Sequence, residues 1–161
     1  MQRIEGKPSE SAAIAQSVEH FIRNEKVVGS SPTRGSIMKK EIATKKAPGA
    51  IGPYSQAVKT ERHLFISGQL PINPETGEMP TDIKEQTRQS IANLKAILEE
   101  AGASLDNVVK TTCLLADMSL FGAMNEVYAE EFKAVYPARA AFAVKELPKQ
   151  ALVEIEAIAI V

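Results

Sequence analysis

The sequence predicts an α+β sandwich, in which a mixed β-sheet carries two helices on one face. Residues 82–101 and 120–134 each repeat apolar side chains at the spacing of an amphipathic helix. Short β-type runs surround them in the order ββ(β)-α-β-α-β-β, which favours helices gathered on one side of a sheet. The closing run, Leu-Val-Glu-Ile-Glu-Ala-Ile-Ala-Ile-Val at 152–161, is apolar on both strand faces and needs cover on both.

Each element has a local signal. Ile42-Ala43-Thr44 is a short opening strand, and residues 47–53 form a loop punctuated by Pro and Gly. Ser55–Lys59 and Leu64–Gly68 form a hairpin through residues 60–63. Pro71–Pro80 is a long turn. A helix starts near Asp82, with Glu85 placed for a capping box, and Gly102 suits its C-terminal cap. Its inward stripe is Ile83, Ile91, Leu94, Ile97, Leu98 and Ala101. Val108–Leu115 is a strand containing Cys113. Ser119 caps a second helix from Leu120 to about Ala134, with Met124, Val127, Tyr128 and Phe132 inward. Strands at 139–145 and 152–161 close the chain. Two helices cover one sheet face, so the other face predicts association of identical subunits.

Composition narrows the chemistry. The chain of 161 residues is 44% hydrophobic and 24% charged, as expected of a soluble globular protein. A net charge of −1 supplies no field for nucleic acid or anionic membrane. One cysteine, Cys113, suits a reducing cytosol and cannot form an internal disulfide. No run reads as a membrane span or signal peptide. With two histidines, His20 and His63, and one cysteine, a His/Cys zinc cluster is not expected. There is no Gly-x-Ser-x-Gly elbow, phosphate-binding Gly-Lys loop or Gly-x-Gly-x-x-Gly fingerprint. Chemistry must rest on Arg, Glu, Tyr, backbone amides and water.

Residues 1–37 read as a non-native leader, disordered or loosely helical, ahead of a domain at 38–161. Residues 14–36 look like a translated transfer-RNA gene. Back-translation of Ile14–His20 yields a D-arm-like ATA GCT CAG TCG GTA GAG CAC. Phe21–Glu25 yields complementary ends, as an anticodon stem requires, and Gly29–Pro32 contains the T-loop consensus. Met38 is the expected start. From there the chain has 14 basic and 16 acidic residues, a mildly acidic balance.

Two stretches place charge in otherwise apolar β-type sequence: Pro137-Ala138-Arg139 and Val153-Glu154-Ile155-Glu156. A carboxylate near a buried surface needs a partner, and Arg139 is a candidate for Glu154. A structural salt bridge is the plain alternative to a functional pair.

Ala47-Pro48-x-x-Ile51-Gly52-Pro53-Tyr54, Ser67-Gly68-Gln69, Asn125, Pro137-Ala138-Arg139, and Leu147-Pro148-Lys149 followed by Val153-Glu154-Ile155-Glu156 together resemble the Rid family, its RidA group most closely. The resemblance spans residues 38–161. It implies a chorismate-mutase-like fold and a homotrimer with clefts between subunits. It also implies cofactor-free hydrolysis of 2-aminoacrylate and 2-iminobutanoate, released by pyridoxal-phosphate-dependent dehydratases, to 2-keto acids and ammonia. Carried onto this chain, Arg139 grips the substrate carboxylate with its planar fork. Glu154 holds the attacking water and shuttles protons. Tyr54 orients substrate or water, Ser67 and the Gly68 amide line the cleft, and Asn125 hydrogen-bonds into it. Glu156 is structural. Many relatives carry cysteine where this chain has Ala141, so thiol chemistry is not expected at that position, and Cys113 reads as core.

Two other functions compete. A ribonuclease or translation inhibitor, an activity also attributed to the family, calls for a basic groove, His or Lys catalysts and stacking aromatics, whereas this domain is mildly acidic, has one histidine and few aromatics. A non-catalytic binder of small carboxylates, or a chaperone-like protein, needs only Arg139. Glu154 separates them, because hydrolysis uses an acid that anion binding does not.

Overall fold

The computed structural model describes residues 38–161, so the expected leader at 1–37 lies outside the described residues. Six strands form one sheet: β1 (Lys40–Ile42), β2 (Ala57–Lys59), β3 (His63–Gln69), β4 (Val108–Leu115), β5 (Ala138–Ala143) and β6 (Val153–Ile160). Their spatial order is β1-β2-β3-β6-β4-β5, with β4 and β5 parallel and every other neighbouring pair antiparallel. The mixed sheet and its two helices, α1 (Ile83–Glu100) and α2 (Phe121–Glu131), match the predicted class.

Strand parity decides which face is covered. Val153, Ile155, Ala157 and Ala159 of β6 are buried, together with Leu64 and Ile66 of β3 and Thr111, Cys113 and Leu115 of β4. They join the inward residues of both helices in one core. The alternate residues have no cover among the described residues. Phe65, Phe142 and Ile160 are exposed, and Leu114 and Ile158 are half-buried. One sheet face is therefore a core and the other an open apolar surface.

The caps differ in detail from expectation. Asp82 caps α1 by accepting from the amides of Lys84 and Glu85 at 2.9 and 3.2 Å. The reciprocal half of a capping box is replaced, because Glu85 Oε1 accepts instead from Arg88 at 2.7 Å. Gly102, at φ +78°, and Ala103 close α1 by donating to Glu99 and Leu98, a Schellman end that needs a left-handed residue. Before α2 the cap is Asp117, not Ser119: its carboxylate accepts from the Ser119 amide at 2.7 Å and starts a 3₁₀ turn at Met118–Leu120. The helix ends at Glu131 rather than near Ala134, because Phe132 turns to extended backbone while its ring stays in the core.

Candidate active site

The helix α2 presents Phe121, Asn125 and Tyr128 along one stripe, at positions i, i+4 and i+7. That stripe meets Arg139 of β5. Arg139 Nη2 donates to Asn125 Oδ1 at 2.7 Å. Its Cζ lies 4.5 Å from the Tyr128 ring centroid and 5.5 Å from that of Phe121. Asn125, Tyr128, Ala129, Tyr136 and Pro137 join it in lining a cavity of about 400 Å³. Among the described residues no acid pairs with this guanidinium. A fixed cation beside an open cavity is suited to bind a carboxylate.

A second cluster forms where β3 bulges. Ile66 pairs with Ala157 but Gln69 with Ile155, so the strand carries one extra residue at Ser67-Gly68. The Glu154 carboxylate lies across this point. A β-carbon added to Gly68 would sit 1.8 Å from Glu154 Oε1, so only glycine admits the acid there. Gly68 also borders a cavity of about 230 Å³ lined by Tyr54, Ile51, Leu70 and Lys149. Burial pushes the Glu154 carboxyl above the ordinary carboxylate range, and the neighbouring charge of Glu156 adds to the rise. A carboxyl group whose proton affinity is raised toward that of its reaction partners is better suited to exchange a proton with water.

The structure thus brings Asn125 to Arg139, and Gly68 to both Glu154 and the Tyr54 cavity. It does not bring Arg139 to Glu154. Arg139 is level with Thr111 and Ala157, on the helix face, whereas Glu154 is level with Leu114 and Phe142 on the open face. The structural salt bridge, the plain alternative to a functional pair, is therefore not formed between these two residues within the chain, because β4 lies between their strands and their parities are opposite. The Ser67 hydroxyl is engaged within its own chain, donating to the Ser55 carbonyl at 2.8 Å. Ala141 is level with Cys113, on the same face as Arg139. Burial raises the Cys113 thiol to about 11 against the opposing Arg139 charge, which keeps it a protonated core residue as expected.

Several supporting residues carried no functional signal in the sequence. Buried Gln56 accepts from the Thr44 amide at 2.6 Å and donates to the Thr44, Ala47 and Pro48 carbonyls at 3.0, 3.2 and 2.8 Å. It thereby pins the loop leading to Tyr54. Asn93 of α1 donates to the Leu70 and Ile72 carbonyls at 2.9 and 3.0 Å, fixing another wall of that cavity. Tyr128 read only as core, and Phe121 carried no signal at all.

Comparison with known proteins supplies the remaining test. The family model for endoribonuclease L-PSP matches residues 44–161. A RutC family protein of Pyrococcus abyssi is 58% identical over 122 residues, covering 75% of this chain and 96% of the relative. A 2-iminobutanoate/2-iminopropanoate deaminase of Mus musculus is 52% identical, covering 78% of this chain and 93% of its own. The crystal structure of Escherichia coli TdcF with bound serine superimposes with a TM-score of 0.73 at 46% identity, covering 76% of this chain and 98% of that one. With the model match over residues 44–161, relatives more than half identical and the shared fold, the chain belongs to the endoribonuclease L-PSP family, that of the Rid and RutC proteins.

Proposed function

We propose that this protein hydrolyses short 2-imino acids and their enamine tautomers, such as 2-iminobutanoate and 2-aminoacrylate, to 2-keto acids and ammonia. Arg139, steadied by Asn125, holds the substrate carboxylate. Glu154 takes a proton from water as the water oxygen bonds to the imine carbon, and returns it to nitrogen. The carbinolamine then collapses, the C–N bond breaks and ammonia leaves, so water supplies the keto oxygen and no electron is exchanged. Tyr54, Ser67, the Gly68 amide and Ala141 complete the cleft. Imines already hydrolyse in water, so positioning and one proton shuttle meet the chemical need without a cofactor.

The observation that carries this reading is an arginine with no acidic partner among the described residues, in a fold whose deaminase-named relatives are about half identical. Because Arg139 and Glu154 face opposite sides of the sheet, a complete cleft takes Arg139 from one copy and Glu154 from the next. A cytoplasmic homotrimer closed through the open sheet face supplies such clefts, with no role for nucleic acid or membrane. The exposed Phe65, Phe142 and Ile160 support that cover, and no helix among the described residues is long and apolar enough to cross a membrane.

The direct test couples the protein to a serine or threonine dehydratase and follows the decay of the released imine. Faster decay with this protein than without it is expected; an unchanged lifetime overturns the reading. The family description favours ribonuclease as a second reading. Against it stand the mildly acidic balance of the domain and the position of His63, stacked on Phe65 at 6.0 Å away from both clusters.

A further inference from the structure

Beneath Arg139 lies a buried polar pair that the proton transfers do not use. Tyr128 turns its ring face to the guanidinium, and its hydroxyl shares a 2.8 Å hydrogen bond with Thr111 Oγ1. Thr111 is buried in the middle of β4 and is level with Arg139 on β5. Phe132 backs the tyrosine, stacked at 4.3 Å. The phenol is thus fixed at both ends, by a ring behind it and by a strand hydroxyl at its tip. Tyr128 needs no hydroxyl to fill the core, since Phe132 fills its own place without one. The ring face, by contrast, sits where it limits how the guanidinium plane can turn.

A free arginine side chain samples many rotamers, and binding a carboxylate through its fork requires one of them. Asn125 removes one degree of freedom by accepting from Nη2. It leaves the tilt of the plane open, and the Tyr128 ring at 4.5 Å, nearer than Phe121 at 5.5 Å, is placed to limit that tilt. We propose that Tyr128, braced by Thr111, is a positioning residue that orients Arg139 for the substrate carboxylate, so that carboxylate affinity depends on the ring and its brace. This inference rests on the reading of Arg139 as the carboxylate anchor. It predicts a fault in binding rather than in proton transfer, because neither residue reaches Glu154.

The experiment compares KM for 2-iminobutanoate, kcat, and Kd for the product 2-ketobutyrate. Tyr128→Leu should raise KM and Kd about 10-fold while kcat stays within about 3-fold. Tyr128→Phe keeps the ring and Thr111→Val removes the brace from the other end, so each should raise KM about 3-fold. Combining them should add nothing beyond either alone, since both break one contact. If Tyr128→Leu does not fold, the Phe and Val variants decide, and unchanged KM and Kd in both overturn the inference. Arg139→Ala is the separate control. If it leaves 2-ketobutyrate binding intact, the reading of Arg139 fails; if it abolishes binding while the Tyr128 and Thr111 variants bind normally, only the positioning role fails.

Discussion

Arg139 and Glu154 lie on opposite faces of one sheet, with β4 running between their strands. A site that uses both must draw them from two copies. Inactive Arg139→Ala and Glu154→Gln chains, co-expressed so that they assemble together, should therefore regain activity. In a cyclic trimer every mixed assembly contains one cleft with both groups intact, so a random equal mixture should recover about one quarter of the unmutated activity. Assaying the whole co-expressed mixture, homotrimers included, checks this. No recovery would mean that the two residues do not share a cleft between copies.

The two single variants should also differ from each other. Glu154→Gln keeps the shape of the side chain and removes the shuttle, so imine hydrolysis should fall by about 10²-fold or more. Binding of a 2-keto acid should hold or tighten, because a nearby negative charge is gone. Arg139→Ala should lose both. Calorimetric titration with 2-ketobutyrate, alongside the imine decay assay, separates the two outcomes; a Glu154→Gln enzyme of unmutated rate would make that acid structural.

Much of this was legible in the residues and some was not. Periodicity located both helices and the core stripe, because a face of Ile91, Leu94, Ile97 and Leu98 has one way to be buried. The two-sided apolarity of 152–161 foretold an open sheet face. What a linear pattern does not carry is strand order. Arg139 and Glu154 fall on successive strands of the chain, and the insertion of β4 between β6 and β5, together with their opposite parities, separates them. Gln56 and Asn93 were equally silent, since their roles consist of bonds to carbonyls in loops far along the chain. The cap of α2 was misplaced by two residues because Asp117 and Ser119 both suit a cap, and the intervening 3₁₀ turn selects the earlier one.

Gly68 offers a sharper steric test. Gly68→Ala would drive a methyl group into the Glu154 carboxylate, within 1.8 Å of Oε1 and 2.7 Å of Cδ. The clash is with the far end of a flexible side chain rather than with backbone, so the fold should survive with a small drop in melting temperature. Its catalytic position should not survive, and hydrolysis should fall about as far as in Glu154→Gln. A Gly68→Ala enzyme with normal kcat would show that the carboxylate works from a different position.

The raised proton affinity of Glu154 fixes the sign of a pH effect. Burial, with a smaller push from Glu156, lifts the folded-state value above the ordinary 4.5. The native chain then holds this proton at pH values where the unfolded chain has released it. Stability is therefore lost as pH rises from the ordinary carboxylate value through the raised one. A guanidinium from a neighbouring copy would oppose the shift, so the comparison belongs in an Arg139→Ala background. There, adding Glu154→Gln should raise the melting temperature at about pH 8, where the buried charge is otherwise present. The gain should shrink steadily toward about pH 4, where both chains are neutral at this position. Melting curves across that range test it. A gain independent of pH, or a loss at the alkaline end, would mean that Glu154 is not desolvated as its place across Gly68 requires.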